Sequence, residues 1–442
     1  MPQAARPPRP PTSRRSLTGW VVGFGCSILA DQVFFLSLAW AAVQLGVPGL
    51  VGLVLAAGSL PRLLVLLTGG ALADGVSPKR IIIGTDSGRS LLMVLTAGVL
   101  LSGHVTAWVL VAVALAVGLL DGLFLPAVAA LPVRVAPPHL MGRVSALRTV
   151  TQRVGMLSGG PLAGWLIHAF SPAVAFLGSA ALFALSVGSL TLVALRSPSP
   201  ATPARAADPA DLAAVVPGAP RRRGLLARVR ADLVDAARLL RSRPLLAAVL
   251  LLIAGMNLGF AGPFTAGIPV LADAHGWGAS GAGLLIGAFG VGAAASGLGL
   301  LLVEQVPHGG LVQLVAVFVM GLAVAAVGIA PVLPVGLVAA LVLGLASGLF
   351  GTIVYGLLLK LSAAEEVGRV MALLSLTLEA TAGLSFLGTG LLASHWGAGT
   401  AFLLGGLVIV VTTLGCATRR SIRQLRVEPE PEPAAKPVPV GS

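Results

Sequence analysis

The chain has 442 residues, of which 56% are hydrophobic and only 10% are charged. A soluble protein this apolar could not cover its surface with polar groups, so the composition excludes an ordinary soluble domain. The net charge of +13 is compatible with nucleic-acid binding, but its distribution along the chain favours a membrane protein. We therefore expect a lipid bilayer around the chain and no nucleic-acid partner.

Apolar segments follow one another along the whole chain, and each could cross a hydrocarbon core of ~30 Å as a helix. We predict an all-α integral membrane protein with about twelve transmembrane helices. Cys26 and Cys416 lie in or at the end of spans, with no metal-binding or redox spacing, and we predict no metal or cofactor. The predicted spans are 18–45, 50–72, 81–101, 106–131, 144–169, 172–195, 244–272, 279–303, 310–330, 335–359, 368–394 and 398–418.

The basic residues are distributed unequally between the two sets of connections. Every second connection lacks both Lys and Arg: Gly46–Gly49, Ser102–Thr106, Phe170–Pro172, Asp273–Ala279, Pro331–Pro334 and Ser394–Gly397. The basic residues outside the spans lie in both tails and in the other connections, except the one at residues 304–309. By the positive-inside rule, this asymmetry predicts a multi-pass protein of the plasma or inner membrane with both termini in the cytoplasm.

Part of the chain is written twice, because residues 118–177 and 344–403 align without a gap. This duplication predicts two parallel six-helix repeats with a substrate path between them. The predicted organisation is a disordered cytoplasmic N-tail (1–16), an N-terminal bundle (17–195), a cytoplasmic linker (196–243), a C-terminal bundle (244–418) and a cytoplasmic C-tail (419–442). Within the linker, apolar residues at helical spacing among arginines predict an amphipathic helix, lying either on the membrane surface or against the bundle.

The connection between the second and third predicted spans carries a family resemblance. Its sequence, Gly69-Gly70-Ala71-Leu72-Ala73-Asp74-Gly75-Val76-Ser77-Pro78-Lys79-Arg80, resembles the Gly-x-Leu-Ala-Asp-x-x-Gly-x-Lys/Arg-Arg loop of the major facilitator superfamily. Asp86 and Arg89 follow it, as they do in that superfamily. The resemblance implies a cytoplasmic latch formed by Gly70, Asp74, Lys79, Arg80, Asp86 and Arg89, which closes in one transport state. The alternative is a plain cytoplasmic turn.

A second element resembles the Gly-Pro-x-x-Gly-Gly motif of the superfamily's antiporters. It runs from Ser158 to Gly164 and contains Gly160 and Pro161, but Trp165 replaces its last glycine. Pro161 bends a helix, and the flanking glycines allow a neighbouring helix to approach closely. The resemblance implies export by a drug:proton antiporter. Leu60-Pro61-Arg62 of the second span and Gly142-Arg143-Val144-Ser145-Ala146 at the start of the fifth resemble the macrolide-efflux and siderophore-exporter branch. The alternative is a kink without directional meaning.

Five ionisable side chains lie well inside predicted spans: Asp31, Arg62, Asp121, Arg153 and Glu379. Such groups are costly in lipid, so each is a candidate for proton coupling, with Asp31 the first choice. The alternative is structural, with Asp31–Arg62 and Arg153–Glu379 forming ion pairs. Gln32, Gln152 and Asn257 are candidate polar residues of the cavity.

The chain contains no metalloprotease, phosphate-binding or nucleophile-elbow motif, so we do not expect an enzyme. The preferred interpretation is a monomeric secondary transporter that exchanges protons for small hydrophobic or amphipathic compounds and exports them by alternating access. Uptake symport or uniport by the same fold is the nearest alternative. A membrane-embedded lipid-modifying enzyme is the alternative of another class.

Overall fold

The structure is a computed structural model, and it describes residues 14–68, 77–135, 140–193, 234, 238–301, 309–362 and 366–419. Every regular element in these ranges is helical. Twelve long helical rods are described: α1 (Arg14–Val43), α2 (Pro48–Thr68), α3 (Pro78–Leu101), α4 (Ala107–Val135), α5 (Met141–Ala169), α6 (Pro172–Thr191), α7 (Pro244–Ala274), α8 (Gly278–Leu301), α9 (Gly309–Gly328), α10 (Leu333–Leu361), α11 (Val367–Trp396) and α12 (Ala398–Ala417).

Ten of these helices are long and apolar enough to cross a membrane by length and composition. The other two, α3 and α5, are also long, but they carry several charged residues that lower their mean hydropathy. The rods therefore confirm the predicted all-α membrane fold. In α7 the α-helix is interrupted by one π-helical turn, Pro263–Gly267, where a proline removes a backbone donor.

The rods form two bundles of six. In the first bundle α1 packs on α5 and α6, and α2 packs on α4. The second bundle repeats this arrangement, with α7 against α11 and α12 and α8 against α10. Glycines make several of these approaches possible. A Cβ on Gly118 would lie 1.9 Å from the carbonyl oxygen of Gly58, and one on Gly344 would lie 2.0 Å from that of Phe289.

The two bundles meet along two crossings, α2 with α11 and α5 with α8. At the first crossing, a Cβ on Gly52 would lie 2.7 Å from the Cα of Gly390. At the second, a Cβ on Gly283 would lie 3.1 Å from the Cα of Gly164. Gly164 and Gly390 occupy equivalent positions in the duplicated sequence. The duplication therefore gives the two crossings the same glycine-on-glycine contact.

Both crossings lie toward one end of the molecule, which we call the short-connection end because residues 44–47, 102–106, 170–171, 275–277, 329–332 and 397 join the helices there. At the opposite end, the long-connection end, α2, α4, α8 and α10 end and α3, α5, α9 and α11 begin. Gly70, Asp74, most of the predicted linker helix and most of both tails lie outside the described residues, while residues 14–16 of the predicted N-tail belong to α1.

Candidate functional site

A cavity of about 860 Å³ lies between the two bundles. Its lining includes Gln32 of α1, Arg153 of α5 and Phe264 of α7. Other lining residues, such as Arg148 and Tyr355, belong to the parts of α5 and α10 that are nearer the long-connection end. The bundles are thus packed together at the short-connection end, and the cavity extends from the centre toward the other end.

The two walls of the cavity differ in chemistry. The first bundle supplies three arginines, Arg62, Arg148 and Arg153, while the described lining contains no Asp or Glu. The second bundle supplies most of the aromatic residues: Phe260, Phe264, Phe289, Phe350, Tyr355 and Phe386. The cationic groups of the lining therefore come from the first bundle, and most of its aromatic groups come from the second.

A group of buried and half-buried charges, which we call the charge cluster, lies beside the cavity, with all but one of its members in the first bundle. It consists of Asp31, Arg62, Asp86, Arg89, Asp121 and Glu379. Arg89 is fully buried between Phe124 and Phe183, whose ring centres are 4.3 and 5.5 Å from its guanidinium carbon. Contacts of this kind partly replace the water that the cation has lost.

Arg89 contacts three carboxylates. Its Nη1 atom lies 3.6 Å from Asp31 Oδ1 and 3.4 Å from Asp86 Oδ1, and its Nη2 atom contacts Asp121 Oδ1. Asp86, also fully buried, accepts further hydrogen bonds from the hydroxyls of Ser27 at 3.2 Å and Ser186 at 2.7 Å. The Asp86 carboxylate is thus held by three donors, whereas Asp31 Oδ1 has no hydrogen-bond partner among the described residues.

Asp121 joins the two arginines, because its other oxygen, Oδ2, accepts a hydrogen bond from Arg62 Nη2. Arg62 Nη1 in turn lies 3.6 Å from Oε2 of Glu379, which belongs to α11 of the second bundle. The Arg62–Glu379 ion pair is therefore a bridge between the two bundles. It sits next to the cavity, since Arg62 is also a lining residue.

The charge cluster is rich in acid. Four carboxylates and two guanidinium groups meet in it, so full ionisation would leave two negative charges in excess. An excess of buried charge is expensive at low dielectric, and neutral carboxyls relieve it. The composition of the cluster therefore suits carboxylates that take up protons.

Neither ion pair of the structural alternative, Asp31–Arg62 or Arg153–Glu379, is present among the described residues. Arg62 pairs with Asp121 and Glu379, while Asp31 pairs with Arg89. Arg153 does not pair with Glu379, and it makes no ion pair within the described part of the chain. It lines the cavity instead. Depth in the membrane suggested these pairs, but the direction in which each helix presents its side chain decided the actual ones.

The residues grouped with the latch loop separate in the structure. Lys79 donates to the carbonyl oxygens of Thr191 at 3.0 Å and Val193 at 2.6 Å, at the C-terminal end of α6. A cation at this position is favourable because helix C-termini carry unpaired carbonyls. Arg80 is exposed. Asp86 and Arg89, by contrast, belong to the charge cluster.

The Gly-Pro element of α5 lies at the crossing with α8. A Cβ on Gly160 would lie 2.5 Å from Cγ2 of Ile286, and one on Gly164 would lie 2.6 Å from the carbonyl oxygen of Ala279. Pro161 packs against Gly287 of α8. The element therefore forms a contact between the bundles.

Gln32, Gln152 and Asn257 all line the cavity. Asn257 also joins two helices, since its amide nitrogen donates to Leu378 O and Thr381 Oγ1 of α11, both at 2.8 Å. Sequence reasoning missed the aromatic wall, and it missed Ser27 and Ser186. Phe260 and Phe264, which lie four residues apart and so on one face of a helix, were a signal for the former, whereas single serines in apolar helices gave none.

Two similar helical bundles that enclose a central cavity with buried titratable groups define a membrane transporter of the two-repeat type. The sequence model of the Major Facilitator Superfamily matches residues 20–308. The chain therefore belongs to that superfamily, whose members are transporters and not enzymes.

Solved structures of transporters share the fold at low identity. A crystal structure of the nucleoside transporter NupG aligns with a TM-score of 0.67 and 12% identity, covering 92% of this chain and 99% of that one. A bacterial homologue of the human lysosomal transporter Spinster aligns with a TM-score of 0.66 and 14% identity, covering 94% of this chain and 97% of that one. The human organic anion transporter TETRAN aligns with a TM-score of 0.57 and 17% identity, covering 92% of this chain and 100% of that one. A comparison with curated proteins finds no match.

Proposed function

We propose that this transporter couples the movement of protons to the export of small hydrophobic or amphipathic compounds by alternating access. The observation that carries the proposal is the bridge between Arg62 of α2 and Glu379 of α11. It joins the two bundles beside the cavity, so a proton on Glu379 would weaken a contact that must change when the bundles rock. Protonation of one carboxyl is then linked to the relative position of the two bundles.

The acid-rich charge cluster supports the same proposal. With two guanidinium groups among four carboxylates, a change in protonation at Asp31 or Glu379 alters the balance that holds Arg62 and Arg89 in place. Asp31 Oδ1 lacks a hydrogen-bond partner among the described residues, which favours a carboxyl that is neutral for part of the cycle.

The direction of transport is supported by two features. The Gly-Pro element resembles that of antiporters, and it lies at the crossing that must hinge when the bundles move. The absence of Lys and Arg from the short connections favours an extracellular short-connection end. The cavity then extends toward the cytoplasm, where an exporter collects its cargo. We place the protein, as a monomer, in the plasma or inner membrane with both termini cytoplasmic.

Susceptibility profiling of a deletion strain against a wide compound panel would supply a transported compound. Purified protein in liposomes that contain a pH-sensitive dye would then report proton movement driven by a gradient of that compound. We expect Asp31→Asn and Glu379→Gln to abolish this proton movement. Glu366→Gln is the matched control. The Glu366 carboxylate lies 2.8 Å from the Arg243 guanidinium, and neither residue lines the cavity. Full proton movement by Glu379→Gln would refute coupling through the bridge.

Uptake symport and uniport use the same fold and remain the alternatives to be tested. Cells that carry the gene should accumulate less of the compound than cells that lack it, and the difference should vanish when the proton gradient is collapsed. Higher accumulation in cells carrying the gene would indicate uptake, and insensitivity to the gradient would indicate uniport.

A further inference from the structure

We propose that the substrate is an aromatic or similarly flat apolar compound that carries a negative charge, and that Arg153 binds the charged end. The proposal rests on the central cavity being the substrate site, and it narrows the amphipathic class proposed above to amphipathic anions. It follows from three features of the cavity lining: an excess of arginines over carboxylates, an arginine, Arg153, without an ion pair among the described residues, and a cluster of phenylalanines.

The cationic groups of the wall are not equally available to a ligand. Arg62 is already paired with Asp121 and Glu379. Arg153 lines the cavity and has no ion pair and no hydrogen bond within the described part of the chain. A guanidinium inside a membrane protein is costly unless an anion compensates it, and no described Asp or Glu lines this cavity. A substrate carboxylate would supply the missing partner, with two parallel hydrogen bonds.

The phenylalanines that the second bundle supplies to the lining are suited to the rest of such a compound. The rings of Phe260, Phe264 and Phe289 form one cluster, with centres 5.0 Å apart for Phe260–Phe264, 4.4 Å for Phe264–Phe289 and 5.7 Å for Phe260–Phe289. All three residues line the cavity. Aromatic surfaces of this kind pack against flat rings. They would also attract a cation, but the arginines that the first bundle supplies to the same cavity disfavour one.

The cavity has room for this ligand class, because about 860 Å³ lies in the range of sites that enclose drug-sized compounds. The asymmetry also follows from the duplication. Arg153 and Glu379 occupy equivalent positions in the two repeats, yet Arg153 lines the cavity while Glu379 is turned to Arg62. At this position the first repeat therefore has a residue that can bind a ligand, Arg153, and the second repeat has one that joins the bundles, Glu379.

Three naphthalene compounds of almost equal size test the proposal: naphthylacetate, its neutral isostere naphthylacetamide, and naphthylethylamine. Equilibrium dialysis of each radiolabelled compound against purified full-length protein in detergent measures affinity without a proton gradient. We expect the acid to bind on the order of tenfold more tightly than the amide, as a charge-assisted pair requires, and the amine to bind weakest.

Arg153→Gln should reduce the acid-to-amide ratio to about one, and Arg153→Lys should keep part of it. Phe289→Leu should weaken the acid and the amide together and leave their ratio unchanged. Arg369→Gln is the matched control, since Arg369 is an exposed arginine outside the cavity. The proposal is overturned if the amide or the amine binds as tightly as the acid, if the ratio survives in Arg153→Gln, or if none of the three compounds binds saturably. Because dialysis involves no transport, this result and the proton-movement result can fail independently.

Discussion

Gly52→Ala should shift the protein away from the state seen here, because it places a methyl group in the contact that holds the bundles together at the short-connection end. The new Cβ would lie 2.3 Å from the carbonyl oxygen of Phe386 and 2.7 Å from the Cα of Gly390. Unstrained contacts of carbon atoms lie near 3.5–4.0 Å, so α2 and α11 must separate by about 1 Å.

Overpacking of this kind costs about 1–3 kcal/mol. The cost falls only on the state in which the crossing is closed. The equilibrium between the two transport states should therefore shift roughly 5–150-fold toward the state that is open at the short-connection end. Gly283→Ala, at the equivalent crossing, should act in the same direction, since its Cβ would lie 2.5 Å from the carbonyl oxygen of Gly160.

Spin labels on Val47 and His395, which lie in exposed positions at the ends of α2 and α11, would report the change by pulsed electron paramagnetic resonance. Cys26 and Cys416 are free thiols and must first be replaced by serine. We expect the distance distribution to gain a longer component in Gly52→Ala.

Gly98→Ala is the control substitution, because the Gly98 position in α3 has open space where a Cβ would stand. The parent distribution should persist in that variant. An unchanged distribution in a well-folded Gly52→Ala protein would refute the reasoning, and so would an equal shift in Gly98→Ala.

Three further substitutions and one labelling experiment test other contacts. Arg89→Gln leaves buried carboxylates without their cation, and we expect a loss of about 3–5 kcal/mol in stability, seen as lower membrane abundance and a lower Tm. Asn257→Leu removes two hydrogen bonds to α11 and should cost roughly 1 kcal/mol, measured by thermal unfolding in detergent. Lys79→Met loses its contacts with the end of α6 and should lower stability by only about 0.5–1 kcal/mol. In intact cells, an impermeant thiol reagent should label a cysteine at Ser102 but not one at Ser242; the reverse pattern would contradict the proposed orientation.

The fold was largely predictable from sequence because its determinants are local. The length of each apolar segment sets each span, and the ungapped repeat of residues 118–177 at 344–403 indicates two related bundles. The glycines that flank Pro161 also predicted a close helix approach, and Gly160 and Gly164 lie against α8 in the structure.

The charge cluster was predictable only in part. Its members could be recognised because an ionisable residue in an apolar run is conspicuous, but their partners depend on helix rotation, which no local pattern records. Arg89 shows the difficulty. It stands near the latch loop in sequence and was grouped with it, yet α3 carries it inward to three carboxylates on three helices.

The charge cluster draws five of its six members from the first bundle, and Glu379 alone comes from the second. At the positions equivalent to Asp31 and Asp121, the second repeat has the neutral residues Asn257 and Ser347, and both line the cavity. After the duplication, the two copies have thus become specialised: one retains the charges, and the other presents aromatic and polar surface. We expect variants with altered selectivity to arise mainly in α7, α8 and α10, where substitutions leave the charge cluster unchanged.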